Sequence, residues 1–176
     1  MRCPRTLAVA VCGLFLAVTP LPAQEDALVA VGETAPAVVV PDLAGGVYDL
    51  ADVLGKRPVL VEFWATWCTS CEAMLPRLRE AHEAYGGSVE FIGVNVTIAE
   101  TLDGVRQYVK DQAPPFRALY DSGGVAARAY GPPATSWIMI ADADGRVVYT
   151  GLGGTQNLEP ALRQVAERQT PGRKDD

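Results

Sequence analysis

Residues 59–71 read VLVEFWATWCTSC: an apolar run from Val59 to Trp64, interrupted only by Glu62, then two cysteines, Cys68 and Cys71, separated by two residues. The run has the length and the β-branched and aromatic content of a buried strand, and the residues beyond Cys68 carry a helical pattern. A cysteine pair at this spacing, where a strand gives way to a helix, is the signature of a redox-active dithiol.

The remaining composition narrows the setting. At 176 residues, with 49% hydrophobic and 20% charged residues, the chain fits one soluble domain with a full core, which leaves no room for a second catalytic domain. A net charge of −6 without any cluster of Lys or Arg excludes a phosphate-binding surface, so no nucleic-acid partner is expected. The one basic tail, Arg173-Lys174, is cancelled by Asp175-Asp176.

The first 23 residues differ from the rest. Arg2 and Arg5 precede an apolar run from Thr6 to Val18, and Leu21-Pro22-Ala23 ends in a small residue suited to cleavage, the pattern of a secretory signal peptide. The run is shorter than the roughly 20 residues of a bilayer span, so a retained anchor is the weaker alternative; Val11 argues against lipidation of Cys12. Cleavage would remove two of the 15 basic residues and leave 13 against 21 acidic ones, a net −8. It would also remove Cys3 and Cys12, leaving Cys68 and Cys71 alone. An exported protein with only these two cysteines has no disulfide framework to build, because a bridge across so small a loop restrains the unfolded chain little. Chemistry accounts for the pair better than stability does. An extracytoplasmic, periplasmic location follows as an expectation, with membrane tethering if the leader is kept.

Residues 24–37 read as a linker, 38–169 as the folded domain and 170–176 as a disordered tail. Val38-Val39-Val40 and Val47-Tyr48-Asp49-Leu50 around Gly45-Gly46 predict a β-hairpin, and Ala51 to Leu54 a helical turn. A long helix is expected from Cys68 to Tyr85, with Leu75, Leu78, His82 and Tyr85 on one face and a kink at Pro76. Strands at 89–96, 116–120, 135–141 and 146–150 then alternate with helices at 101–111, 125–130 and from Asn157 to Arg168, an α/β order. Asp142-Ala143-Asp144-Gly145 is a hairpin turn signal, and Asn157 a helix cap.

Gly32-x-x-Ala35-Pro36, VLVEFWATWCTSC, Pro76, Phe91-Ile92-Gly93-Val94-Asn95, Pro133-x-Thr135 and the Asp-Gly hairpin occur in that order, and through them residues 31–168 resemble the exported thioredoxin-like thiol-disulfide oxidoreductases of the TlpA and ResA group. The resemblance implies a three-layer thioredoxin-like fold, a central mixed sheet flanked by helices, with the hairpin as an N-terminal extension. It implies reduction of protein disulfides, such as those of apocytochrome c during cytochrome c maturation, by a monomer recharged from a membrane thiol transporter. No cofactor and no metal are implied.

At a helix N-terminus Cys68 would be the thiolate nucleophile and Cys71 the resolving thiol. By the resemblance, Glu62 would lie beneath them with a raised pKa and accept the Cys71 proton; an edge-facing glutamate is the alternative. Trp67 would shield the approach, and Pro133 with Thr135 would supply a cis-proline substrate-binding segment, although counting back from the Asp-Gly hairpin puts Ser136 at the usual distance. Met74 stands where many members carry a glutamate, which shifts acid-base duty to Glu62 or water.

Other residues support plainer roles. His82 stands four turns from Cys68 and suits packing; a zinc site lacks a second cysteine pair, and a copper site lacks a third ligand near the pair. Trp137 suits the core, Gly151 to Gly154 a loop, and Asp142 and Asp144 a turn. Two other functions remain open: a thiol peroxidase, for which the proline expected ahead of Thr66 is missing, and a non-catalytic peptide-binding module, against which the intact cysteines argue.

Overall fold

The computed structural model describes residues 29–169, so the expected signal peptide and C-terminal tail lie outside the described residues. Strands β1 (Val39–Pro41) and β2 (Val47–Asp49) form the expected antiparallel hairpin, followed by a 3-10 turn at Leu50–Asp52 capped by Asp49. Then come β3 (Val59–Trp64), α1 (Thr69–Tyr85), β4 (Glu90–Asn95), α2 (Leu102–Gln112), β5 (Arg117–Tyr120), α3 (Val125–Tyr130), β6 (Trp137–Ala141), β7 (Val147–Leu152) and α4 (Glu159–Gln169).

The five longer-range strands make one mixed sheet in the order β5-β4-β3-β6-β7. β3 runs parallel to β4 and antiparallel to β6, and all six of its residues are buried. A central strand covered on both faces explains why its apolar run is nearly continuous. Its side chains alternate between the two faces. Val59, Val61 and Phe63 join a core with Val40, Leu50 and Tyr130. Leu60 packs with Met74 and Leu78 of α1 and Leu162 and Val165 of α4, and Trp64 with Cys68, Cys71 and Val105. Glu62, between Leu60 and Trp64, therefore belongs to the face that α1 covers.

The buried face of α1 is Cys71, Met74, Leu75 and Leu78. His82 is exposed and Tyr85 only half-buried, so the expected face is correct at Leu75 and Leu78 and fails toward the C-terminus. His82 still packs, edge-on to the Phe91 ring at 5.1 Å. The helix continues through Pro76, which faces solvent and leaves the Glu72 carbonyl without its helical donor.

From Val29 the stretch expected as linker is held on the domain. Gly32 N–H donates to Val147 O at 2.8 Å, Val147 N–H donates to Glu33 O at 2.8 Å, and Tyr130 Oη donates to Pro36 O at 2.7 Å. Val29 and Ala35 are buried in the core, and their burial offsets the entropy of ordering this segment.

Candidate redox site

Cys68 is the N-cap of α1 and Cys71 sits in its first turn; the two form a disulfide with a Cα–Cα distance of 5.2 Å. Both are 6% exposed. Cys71 N–H donates to Cys68 Sγ at 3.1 Å, so a free backbone donor of the helix end points at the outer sulfur. Once the bridge is reduced, that donor and the positive helix terminus both favour a Cys68 thiolate over the thiol.

On the face of β3 that α1 covers, Glu62 is 1% exposed, with no hydrogen-bond partner for Oε1. Burial alone pushes its carboxyl up to about 8, because no cation stands near enough to compensate. Across the ladder Glu62 faces Gly93 on β4 and Ile138 on β6. A Cβ on Gly93 would run into the Phe116 ring, so this glycine lets an aromatic ring pack onto β4 at the position paired with Glu62. Tyr108 on α2, 5.3 Å from the Trp64 ring, has a raised pKa chiefly from burial, then from the negative charges of Glu72 and Glu62. Tyr108 thus feels both Glu62 and the residue that follows Cys71.

Two loops wall the site. On one side Glu100 accepts from Thr66 N–H and from buried Asn95 Nδ2, each at 2.7 Å, tying the 96–100 loop to the residues just ahead of the cysteines. Trp67, half exposed, donates its indole N–H to Ile98 O at 2.8 Å. On the other side Gly154 packs against α1, where a Cβ would lie 2.7 Å from Ser70 O and 2.8 Å from Ala73 Cβ. That loop is tied down by Ser136, whose carbonyl accepts from Gly153 N–H at 3.0 Å and Gln156 Nε2 at 2.9 Å.

The Redoxin family profile matches residues 30–165. Over 140 residues the chain is 35% identical to the thiol-disulfide oxidoreductase ResA of Bacillus thuringiensis subsp. konkukian, covering 77% of this chain and 78% of that protein. The chain belongs to the Redoxin family, as a ResA-type thiol-disulfide oxidoreductase. A TxlA homolog from Synechocystis, a thiol:disulfide interchange protein, is 48% identical over 75 residues, which cover 43% of this chain and less than half, 42%, of that protein. Among solved structures, the thioredoxin domain of a thiol-disulfide oxidoreductase from Bacteroides vulgatus superposes with a TM-score of 0.66 at 25% identity, covering 77% of this chain and 98% of that one. A protein from Chlorobium tepidum assigned as a DsbE thiol:disulfide interchange protein gives 0.68 at 26% identity, covering 81% and 98%.

In this ResA-type chain the cis-proline expected at Pro133 is not present: every described peptide bond is trans, and Pro133 is exposed. β6 begins at Trp137, paired with Phe63, and Ser136 N–H donates to Phe63 O at 2.7 Å. Ser136, not Pro133, therefore stands opposite Trp64 beside the cysteine loop, and a proline there would have no N–H to give. Ser136 is fully buried at φ +63°, and its hydroxyl has no partner. Thr135 lies half-buried in the turn leading to it.

Of the residues that sequence reasoning singled out, Cys68 and Cys71 bridge at the start of α1, Trp67 stands just ahead of them, and Glu62 is buried within β3 on the face that α1 covers. Sequence reasoning missed Asn95, Ile98, Glu100, Gly154 and Gln156. Asn95 ending an apolar strand was the one available signal, since an amide there needs a partner.

Proposed function

We propose that this oxidoreductase reduces disulfides of partner proteins outside the cytoplasm, with Cys68 as nucleophile, Cys71 as resolving thiol and Glu62 as the base for Cys71. The Cys68 thiolate attacks one sulfur of the partner disulfide, forming a mixed disulfide while the other partner sulfur leaves as a thiolate and takes a proton. Cys71 gives its proton to Glu62 and attacks Cys68 Sγ, forming the Cys68–Cys71 bridge and releasing the second partner sulfur, which is protonated in turn. Two electrons and two protons pass to the partner. The reduced pair is then restored by a dithiol donor, for which a membrane thiol transporter is the proposed source.

The observation that carries this is Glu62, an unpaired acid on the sheet face under α1 whose carboxyl burial pushes up to about 8, into the range where it can take a proton from a thiol. The export reading rests on the leader and on the mature chain keeping just this cysteine pair; among the described residues no helix is long and apolar enough to cross a membrane. Trp67, half exposed one residue ahead of Cys68, would line the approach.

Insulin reduction coupled to a dithiol donor tests the reading. Wild type is expected to be active, Cys68→Ser inactive, and Cys71→Ser to accumulate a mixed disulfide with its partner. Activity persisting in Cys68→Ser, or a Cys68–Cys71 potential as high as that of strong oxidants near −120 mV, would overturn it.

A further inference from the structure

Three residues past β4, the chain spends stability to expose an apolar side chain. Ile98 is 63% exposed, and it is flanked by Thr97 at φ +60° and Ala99 at φ +56°, two non-glycine residues in the left-handed region. Such conformations persist only where surrounding contacts enforce them. Here the contacts are Glu100 bridging Thr66 and Asn95, Asn95 Oδ1 accepting Thr97 N–H at 2.9 Å, and Trp67 donating to the Ile98 carbonyl. The Thr66 and Trp67 contacts join the loop to residues next to Cys68, and the Asn95 contacts anchor it to the end of β4. The result is two large exposed apolar side chains, Trp67 at 51% and Ile98, joined by the Trp67–Ile98 hydrogen bond one residue ahead of the nucleophile.

We propose that Trp67 and Ile98 form a platform that selects protein disulfides having an apolar side chain beside the attacked cysteine. This rests on the protein-disulfide reading above and deepens it. A mixed disulfide fixes a partner sulfur on Cys68 Sγ, so the partner residues adjoining that cysteine must lie over Trp67. An apolar side chain there removes water from the indole and Ile98 together, whereas a polar one loses its own hydration with no partner to replace it. The indole N–H is already engaged by Ile98, so the platform offers the partner an apolar face and no free donor. The Glu100 and Asn95 contacts hold it in place before the partner arrives, which lowers the ordering cost of binding.

Two disulfide-bridged peptides that differ only in the residue before the attacked cysteine, Leu in one and Ser in the other, test the proposal. Wild type is expected to reduce the Leu peptide with a kcat/KM about tenfold higher, the worth of partly burying one such side chain. In Ile98→Ser that ratio is expected to fall toward one, and in Ile98→Leu to be largely kept. Because each ratio is taken within one variant, a general loss of activity or stability cancels. A wild type active on both peptides whose ratio is unchanged by Ile98→Ser would overturn the platform alone. A wild type inactive on both would overturn the protein-disulfide reading and the platform with it.

Discussion

Replacing Glu62 by Gln gives the sharpest test of the site, because its effect has a pH signature that a packing change lacks. The folded carboxyl titrates at about 8 against 4.5 for the ordinary group. Below pH 4.5 both states hold the proton and Glu62 imposes no ionisation penalty. Between 4.5 and about 8 the unfolded chain releases its proton while the folded chain keeps it, so the unfolded state binds fewer protons and stability falls as pH rises. The slope is about 1.4 kcal/mol per pH unit, and the loss levels off at about 4–5 kcal/mol once the folded group ionises as well. Glu62→Gln has no such proton. Urea unfolding of the oxidised proteins should therefore show the variant gaining on wild type steadily from pH 5 to 8, whatever constant offset the amide introduces. The protonated acid should also give a carboxylic carbonyl band at pH 6 that vanishes in the variant. In turnover, the loss of the base should slow resolution by Cys71 about a hundredfold. A stability difference flat across that pH range would refute the buried, neutral carboxyl.

Three further perturbations follow from the walls of the site. Ser136→Pro removes the N–H given to Phe63 and demands a negative φ where the chain has +63°, so it should lose about 3 kcal/mol or more, while Ser136→Gly, free of the φ penalty and of the unpartnered hydroxyl, should equal or exceed wild type in urea unfolding. Gly154→Ala puts a methyl 2.7 Å from Ser70 O, and should lower stability by about 1–3 kcal/mol while speeding reduction of Cys68–Cys71 by a small thiol as the loop retreats; an unchanged reduction rate would mean that the loop does not screen the bridge. Glu100→Ala strands the Thr66 and Asn95 donors, for a loss of about 1–3 kcal/mol and stronger iodide quenching of Trp67 fluorescence, with Glu100→Gln losing less because it keeps an acceptor.

The cysteine strand was legible because burial on both faces writes itself as a nearly continuous apolar run, and the two hairpins because Gly45-Gly46 and Asp142 to Gly145 have few other uses. Glu62 could be placed for the same reason: an acid within such a run must occupy one face or the other. The far end of α1 was misjudged because helical spacing does not say where the covering sheet stops. His82 and Tyr85 continue the period, but Tyr85 opens on a groove between α1 and residues 155–159. The Pro-x-Thr motif pointed to Pro133 because a motif fixes residue types while pairing fixes position, and the register Phe63↔Trp137 decides the position in favour of Ser136. The walls were illegible because Glu100, Gly154 and Gln156 act through backbone partners about 20 to 85 residues away in the chain, and nothing in their local sequence names those partners.

The docking of Gly153, Gly154 and Gln156 on Ser136 and Ser70 also sets an order of events as the chain emerges. Under the export proposed above, Cys71 reaches the oxidising side of the membrane about 80 residues before Gly154. Throughout that interval the first turn of α1 lacks one wall, and β3 lacks β6, the neighbour that seals Glu62. The nascent thiols are then more open to passing oxidants than they will be again. Closure of the last hairpin therefore acts as the step after which the pair reacts with chosen partners, and slow synthesis or a truncated C-terminus should be recorded as misoxidised chains before any loss of fold is seen.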